Sequence, residues 1–287
     1  MSPVDFFADA FASDLTQRAL LGGLLAAATT ALVGTWVVVR GLAFLGDALA
    51  HGLLPGIALA AVWGFDLALG AIVSATLMVG GVNLVNRTTR LSADTGIGLL
   101  FVAMLAVGVI IISKEATYAG DLTGFLFGDV LGVSAGDLRL AGVVLAVTVV
   151  AMVVGHRSFL ALAVDPAKAL TLGLRPGLAN AVLLALLAFS VVASFRAVGT
   201  LLVFGLLVAP PATAVLIVRR LPAAMIVALL LGALAVVLGL AISYHAETAA
   251  SATVAGVAVA QFFLVLAGTE LRQRTRRPAG GASGAPH

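Results

Sequence analysis

Nine stretches of continuously apolar residues, each long enough to cross a bilayer as a helix, follow one another along this chain. They run at about Ala19–Val39, Leu42–Trp63, Leu67–Val85, Gly96–Ile112, Leu138–Val154, Leu178–Ser194, Gly199–Val218, Ala223–Ile242 and Ala249–Ala267. A spanning helix needs roughly 20 predominantly apolar residues. The runs are unbroken rather than alternating, so each must satisfy its own backbone as a helix and not as a barrel strand. Only 10% of the 287 residues are charged, against about a quarter in soluble domains, too few to coat a water-facing surface. The expected fold is all-α: a polytopic membrane protein with about 8–9 transmembrane helices.

The charges that do occur sit at the ends of these stretches. Arg40, Arg87 and Arg90, His156 and Arg157, Lys168 and Arg175, Arg219 and Arg220, and the run Arg272 to Arg277 fall on one side if nine spans alternate. Basic flanks mark the cytoplasmic side, which predicts the N-terminus outside and the C-terminus inside. Lys114, Arg139 and Arg196 are exceptions. The net charge of +3 is thus a topological anchor and gives no reason to expect nucleic acid. Residues 1–17 are acidic, with Asp5, Asp9 and Asp14, so they do not read as a signal peptide. Phe7, Phe11 and Leu15 recur every four residues, the pattern of an amphipathic helix on the membrane surface. The chain thereby divides into an amphipathic segment 1–17, a transmembrane domain 18–270, and a basic tail 271–287 of disordered composition whose arginines suit anionic lipid.

Two ionisable residues lie inside the second span. Asp47 and His51 are four apart, so they share one helix face. His51 is eleven residues past Arg40, about 16 Å at 1.5 Å per residue, near mid-bilayer. A charged group there costs roughly 2.5–3.5 kcal/mol or more and normally faces a cavity or a partner. Carboxylate plus imidazole suits a divalent transition metal such as zinc or manganese. Two ligands do not complete a site, whereas a two-fold dimer would supply four. Gly46, Gly52 and Gly56 surround the pair, and Gly52 to Gly56 has the small-xxx-small spacing of close helix contacts. The residues alone leave two other readings open: the pair bonds only to itself or caps a neighbouring helix, or it relays protons.

Other segments carry weaker signals. The stretch 163–176 holds Asp165 as an N-cap, Pro166 in the first turn and Gly173 as a C-cap. It predicts a short helix in a cytosolic loop of about 159–176, with Ala169 and Leu172 as an apolar face for a soluble partner. Pro210 and Pro211 interrupt the seventh span, which suits a kink lining a cavity. Residues 117–137 are too polar for a lipid-exposed span and suit a short or re-entrant helix. His245 and Glu247 lie in an outer loop. There is no cysteine, so thiolate sites and disulfides are excluded. The only lysines, Lys114 and Lys168, fit no phosphate-cradling G-x-x-x-x-G-K-[ST] motif, so the chain cannot hydrolyse ATP by that route.

The run Arg40-Gly-Leu-Ala-Phe-Leu-Gly-Asp47-Ala-Leu-Ala-His51-Gly-Leu-Leu-Pro55-Gly56 resembles the permease subunits of bacterial manganese/zinc/iron ABC importers. So, in the same order, do Phe125-Leu-Phe-Gly128, the Asp165-Pro166 loop, and Gly199-Thr-Leu-Leu-Val through Ala209-Pro-Pro211-Ala-Thr-Ala214. The resemblance covers residues 15 to 270. It implies a homodimeric permease in the bacterial plasma membrane, with two cytosolic ATPase subunits and an extracytoplasmic metal-binding protein. It makes Asp47 and His51 the ligands of a transported zinc, manganese or iron ion, and Asp165, Pro166, Ala169, Leu172 and Gly173 the contact with the ATPase. It makes 117–137 an outer gate, in which Asp129 stands where relatives often carry a small polar residue. No permanently bound cofactor and no enzymatic activity of the chain's own are expected. Two alternatives are a proton-coupled secondary transporter, which would show inverted repeats not evident here, and a structural membrane protein using the pair as helix glue.

Overall fold

The structure, a computed structural model, describes residues 3–89, 92–113, 133–164, 173 and 175–276. Among them are eleven helices and no strand: α1 (Pro3–Ala10), α2 (Asp14–Val39), α3 (Ala43–Gly52), α4 (Leu54–Trp63), α5 (Leu67–Thr88), α6 (Ala93–Ser113), α7 (Ala135–Val164), α8 (Pro176–Val198), α9 (Thr200–Ile217), α10 (Leu221–Ala246) and α11 (Ala250–Arg276). Each of the nine apolar stretches coincides with a helix, the second being shared by α3 and α4. Eight of these units are long and apolar enough to span a membrane, and α9 is an apolar helix slightly shorter than that. The chain is a multi-pass membrane protein.

The bundle is built around α2, which packs against α7, α8, α9 and α10. Its inward residues are small, including Gly22, Gly23, Ala26, Ala27, Ala31 and Gly34. In lipid, where no hydrophobic force drives helices together, such residues let backbones approach. Gly23 meets Val236 and Ala27 meets Gly232, so α10 runs antiparallel to α2. Trp36, fully buried, stacks its edge near His156 and Phe159 of α7 with ring centroids 6.0 and 5.7 Å away, which makes α7 parallel to it. A second group forms beside the hub: α4 crosses α5 and α6, and α3 lies between α6 and the hub.

Helix ends follow local signals. Ser13 caps α2, its Oγ accepting the Thr16 N–H at 3.2 Å. Asp66 caps α5 through the N–H groups of Ala68 and Leu69. The α2–α3 turn is closed by Gly41 at φ +68°, with Leu42 N–H on the Val37 carbonyl and Gly41 N–H on that of Val38. This paired pattern uses the left-handed conformation that glycine adopts freely. Arg40, in the same turn, donates to Asn180 Oδ1 of α8 at 2.9 Å. Burial pulls its guanidinium below the ordinary value. The turn that launches α3 is thus tied to α8.

Four boundaries differ from the sequence expectation. The leader is not one helix: α1 stops at Ala10, and α2 starts at Asp14. The two flank Ser13, so Phe7, Phe11 and Leu15 do not share one face. Helix α7 begins inside the stretch read as re-entrant, where Ser134 Oγ donates to Asp137 Oδ2 and accepts the Asp137 N–H. It then continues to Val164, ten residues beyond the predicted end at Val154. Gly155-His156-Arg157 reads as a span end, but Met152, Phe159 and Leu162 keep helical spacing and are buried against the bundle. The first part of the loop read as 159–176 is therefore helix. Finally, α11 runs to Arg276, because Glu270, Leu271 and Arg272 are good helix formers.

Candidate functional site

Asp47 and His51 sit on α3, one turn apart, with Oδ1 and Nε2 separated by 3.6 Å. That is longer than a hydrogen bond and within ion-pair distance, so the two groups face each other across a short gap. Leu45, Ala48 and Leu49 turn into the core while Phe44 is exposed, and the Asp47 and His51 side chains remain 27% and 29% exposed. The pair therefore lies on a side of α3 that the other described residues cover only in part. On one flank it meets an aromatic wall from α6: Phe101 is edge-on to His51, with centroids 5.8 Å apart, and edge-on to Phe44 at 6.0 Å. No group of three or more His, Asp or Glu side chains gathers among the described residues. Among them, Asp47 and His51 stand as a pair without a third such group.

Behind the pair, α3 is held by glycines. Gly46, beside Asp47, packs directly on the Leu207 side chain of α9. The same residue's carbonyl lies against Gly34 of α2, where a methyl group would overlap it. Pro211 has no N–H to offer that carbonyl four residues back. Leu207 therefore wedges the proline segment of α9 between α2 and the Asp47 turn. Pro210 and Pro211 are both buried, and α9 is helical on both sides of them from Thr200 to Ile217. In the second span the helical hydrogen-bond ladder is interrupted at Leu53, ahead of Pro55, while the Leu53 backbone stays in the right-handed helical region at φ −73°, ψ −24°. The glycine spacing of the second span does mark a close contact, and it is made within the chain: Gly56 and Gly70 bring the backbones of α4 and α5 together.

The remaining site residues separate. His245, at the end of α10, stacks on Phe6 with centroids 4.1 Å apart, and its Nε2 is 2.9 Å from the Phe6 carbonyl oxygen. It fastens α1 and does not meet Asp47 or His51. Glu247 is exposed in the left-handed conformation that ends α10. Gly173 is exposed with φ +71°, as a C-cap requires. Asp165, Pro166, Ala169, Leu172 and Asp129 lie outside the described residues. Sequence reasoning missed Phe101, Leu207 and Ser74. The only advance signal was for Ser74, which stands four residues after Gly70 in a small-xxx-small spacing.

An all-helical bundle of this kind, with a polar pair on one partly covered helix face, defines a membrane permease. The chain belongs to the ABC 3 transport family, whose model matches residues 12–269. It is similar to the manganese import system permease protein ScaB of Streptococcus parasanguinis, 33% identical over 266 residues that cover 92% of this chain and 93% of that one. It is similar to the chelated iron transport system membrane protein YfeD of Yersinia pestis, 32% identical over 89% of this chain and 85% of the relative. Among solved structures it resembles PsaBC from Streptococcus pneumoniae in complex with Fab, with a TM-score of 0.81, 29% identity, and coverage of 92% of this chain and 95% of that one. The chain is a transport subunit and not itself an enzyme. In this family ATP hydrolysis belongs to a separate subunit.

Proposed function

We propose that this chain is the membrane-spanning subunit of an ATP-driven importer for a divalent transition metal, and that the cation passes Asp47 and His51. The observation that carries the reading is the partly covered pair on α3. A carboxylate and an imidazole one turn apart, in the middle of a span, are costly unless they face a cavity or a partner. A second copy of the chain, related by a two-fold axis, brings the same two groups again, and four O/N ligands suit manganese, iron or zinc. The relatives' names, manganese for one and chelated iron for another, fit that range. The 3.6 Å gap leaves no direct hydrogen bond between the two groups, so a cation placed between them would gain both without breaking one.

The other parts follow from the family. An extracytoplasmic metal-binding protein delivers the ion on the side of Asp66 and Glu247. Two cytosolic ATPases dock on the arginine-rich side, through the segment from Asp165 and Pro166 past Ala169 and Leu172 to Gly173. The C-terminus lies on that side of the bacterial plasma membrane, and residues 117–137 form the outer gate. The ion sheds water onto Asp47 and His51 of both protomers, and closure of the ATPases switches access.

The test is uptake of manganese(II) into vesicles by the chain reconstituted with its ATPase, comparing Asp47→Ala and His51→Ala with the parent. Changes merely beside metal ligands cost 10–100-fold, so each ligand substitution is expected to lower uptake by more than about tenfold. Near-parental uptake with both residues gone would overturn the pathway. Uptake that follows a proton gradient without ATP would overturn the class of mechanism.

A further inference from the structure

The α3–α4 element is broken at one place, and another helix fills the gap. Pro55 carries no N–H, so the His51 carbonyl loses its donor four residues on. The neighbouring rung, Gly56 N–H to Gly52 C=O, is also open. Ser74 of α5 stands in it: its Oγ donates to the Gly52 carbonyl at 2.7 Å and accepts the Gly56 N–H at 3.3 Å. Ser74 is 2% exposed, and a methyl built on Gly56 would come within 2.7 Å of its Cβ. The hydroxyl is thus held by the Gly56–Gly70 crossing, and it satisfies two backbone groups that would otherwise be buried unpaired.

We infer that Ser74 is a positioning residue for the Asp47–His51 pair, its hydroxyl keeping the rung next to His51 open and so fixing the direction in which α3 presents both ligands. The inference rests on the metal role proposed for that pair. Its leverage is geometric. Asp47 precedes Gly52 by five residues, about 7.5 Å along the helix. A change of direction of about 20° at Gly52, the scale of a helix kink, displaces Asp47 by roughly 2.6 Å. Metal–ligand distances tolerate only about ±0.2 Å. Without the hydroxyl, the Gly56 N–H can close on Gly52 directly, and α3 swings with it.

The chain has no cysteine, so Phe44→Cys on α3, paired in turn with Ile226→Cys on α10 and Leu178→Cys on α8, all exposed positions, reports the sideways position of α3 against the bundle without background. Spin-label distances are measured in the reconstituted transporter for the parent, Ser74→Ala and Ser74→Thr, and the unlabelled variants are assayed for manganese(II) uptake. In Ser74→Ala at least one of the two distances shifts by about 2–4 Å, the sideways swing of Phe44, which lies eight residues or about 12 Å from Gly52. The KM for manganese(II) rises about tenfold, the scale of changes beside metal ligands, while basal ATP hydrolysis and the thermal midpoint stay near parental. Ser74→Thr, which keeps the hydroxyl, restores both readouts. Two unchanged distances in Ser74→Ala overturn the inference, and so does equal loss in the alanine and threonine variants, which would make the contact one of packing alone. If a distance shifts and threonine rescues it while Asp47→Ala still transports normally, the hinge stands and the metal reading fails.

Discussion

Two elements of this bundle carry proline in mid-helix, and they end differently. In α3–α4, Pro55 accompanies an open break with a serine from α5 set into it. In α9, two consecutive prolines leave the helix unbroken from Thr200 to Ile217. The difference lies in the neighbours. Helix α9 is packed by α2, α10 and α11, and the carbonyl of Leu207, left without its donor, is pressed against Gly34. Helix α3 is packed on one side and only partly covered on the side of Asp47 and His51. Proline removes a donor in both places. Whether the helix opens depends on what surrounds the freed carbonyls.

The strongest challenge to this comparison is to fill the glycines that hold each element. Gly34→Ala and Gly56→Ala each put a methyl group onto a backbone carbonyl, of Leu207 and Gly70 respectively. Overpacking of this kind costs about 1–3 kcal/mol or more, so both variants should lose thermal midpoint in detergent and fold in lower yield. Gly80→Ala, which meets open space, should gain up to about 0.5–1 kcal/mol from helix propensity. A Gly34→Ala protein as stable as the parent would show that α2 does not clamp α9.

Restoring the missing donors should separate the two elements next. Pro211→Ala supplies an N–H to a helix already continuous through that position, and should leave the thermal midpoint equal or higher with transport near parental. Pro55→Ala lets the His51 carbonyl regain its donor, and should lower manganese(II) uptake severalfold while stability stays within about 0.5 kcal/mol. Reversal of the two phenotypes would place the moving joint in α9.

The smallest effect is expected outside both elements. Gln261 lies on the stripe Ser251, Val254, Ala255 and Ala258 by which α11 packs, and both atoms of its amide are buried without a hydrogen-bond partner. Gln261→Met removes that unpaired amide at similar volume, and should raise stability by about 1 kcal/mol. No gain would mean that water or a partner subunit serves the amide in the assembled transporter.

These features differ in how far the sequence exposed them. The spans were legible because a signal of some 20 residues is hard to mistake. Their ends were not, because a cap such as Ser13 or Ser134 is a single residue, and His156-Arg157 imitates a terminus while Phe159 carries the helix on. The Asp47–His51 face could be read because both residues lie on one helix at a fixed spacing. Ser74 and Leu207 could not. Their partners are backbone and side-chain groups on other helices, and nothing in local periodicity says which turn of α5 will face Gly52. For the proline pair in α9 the local rule gives the missing bond, but not that Gly34 of α2 packs against the freed Leu207 carbonyl.

The contact between His245 and Phe6 has a consequence for the order in which the molecule is made. The two residues are 239 apart. At a synthesis rate of about 5–20 residues per second, α1 must wait on the order of 10–50 s before the residue that fastens it exists. During that interval the aromatic face of α1 has no fixed seat, while α2 already has its early neighbours to assemble with. Helix α1 is therefore synthesised before the helix that fastens it, and this contact can form only after the chain has been made as far as the end of α10.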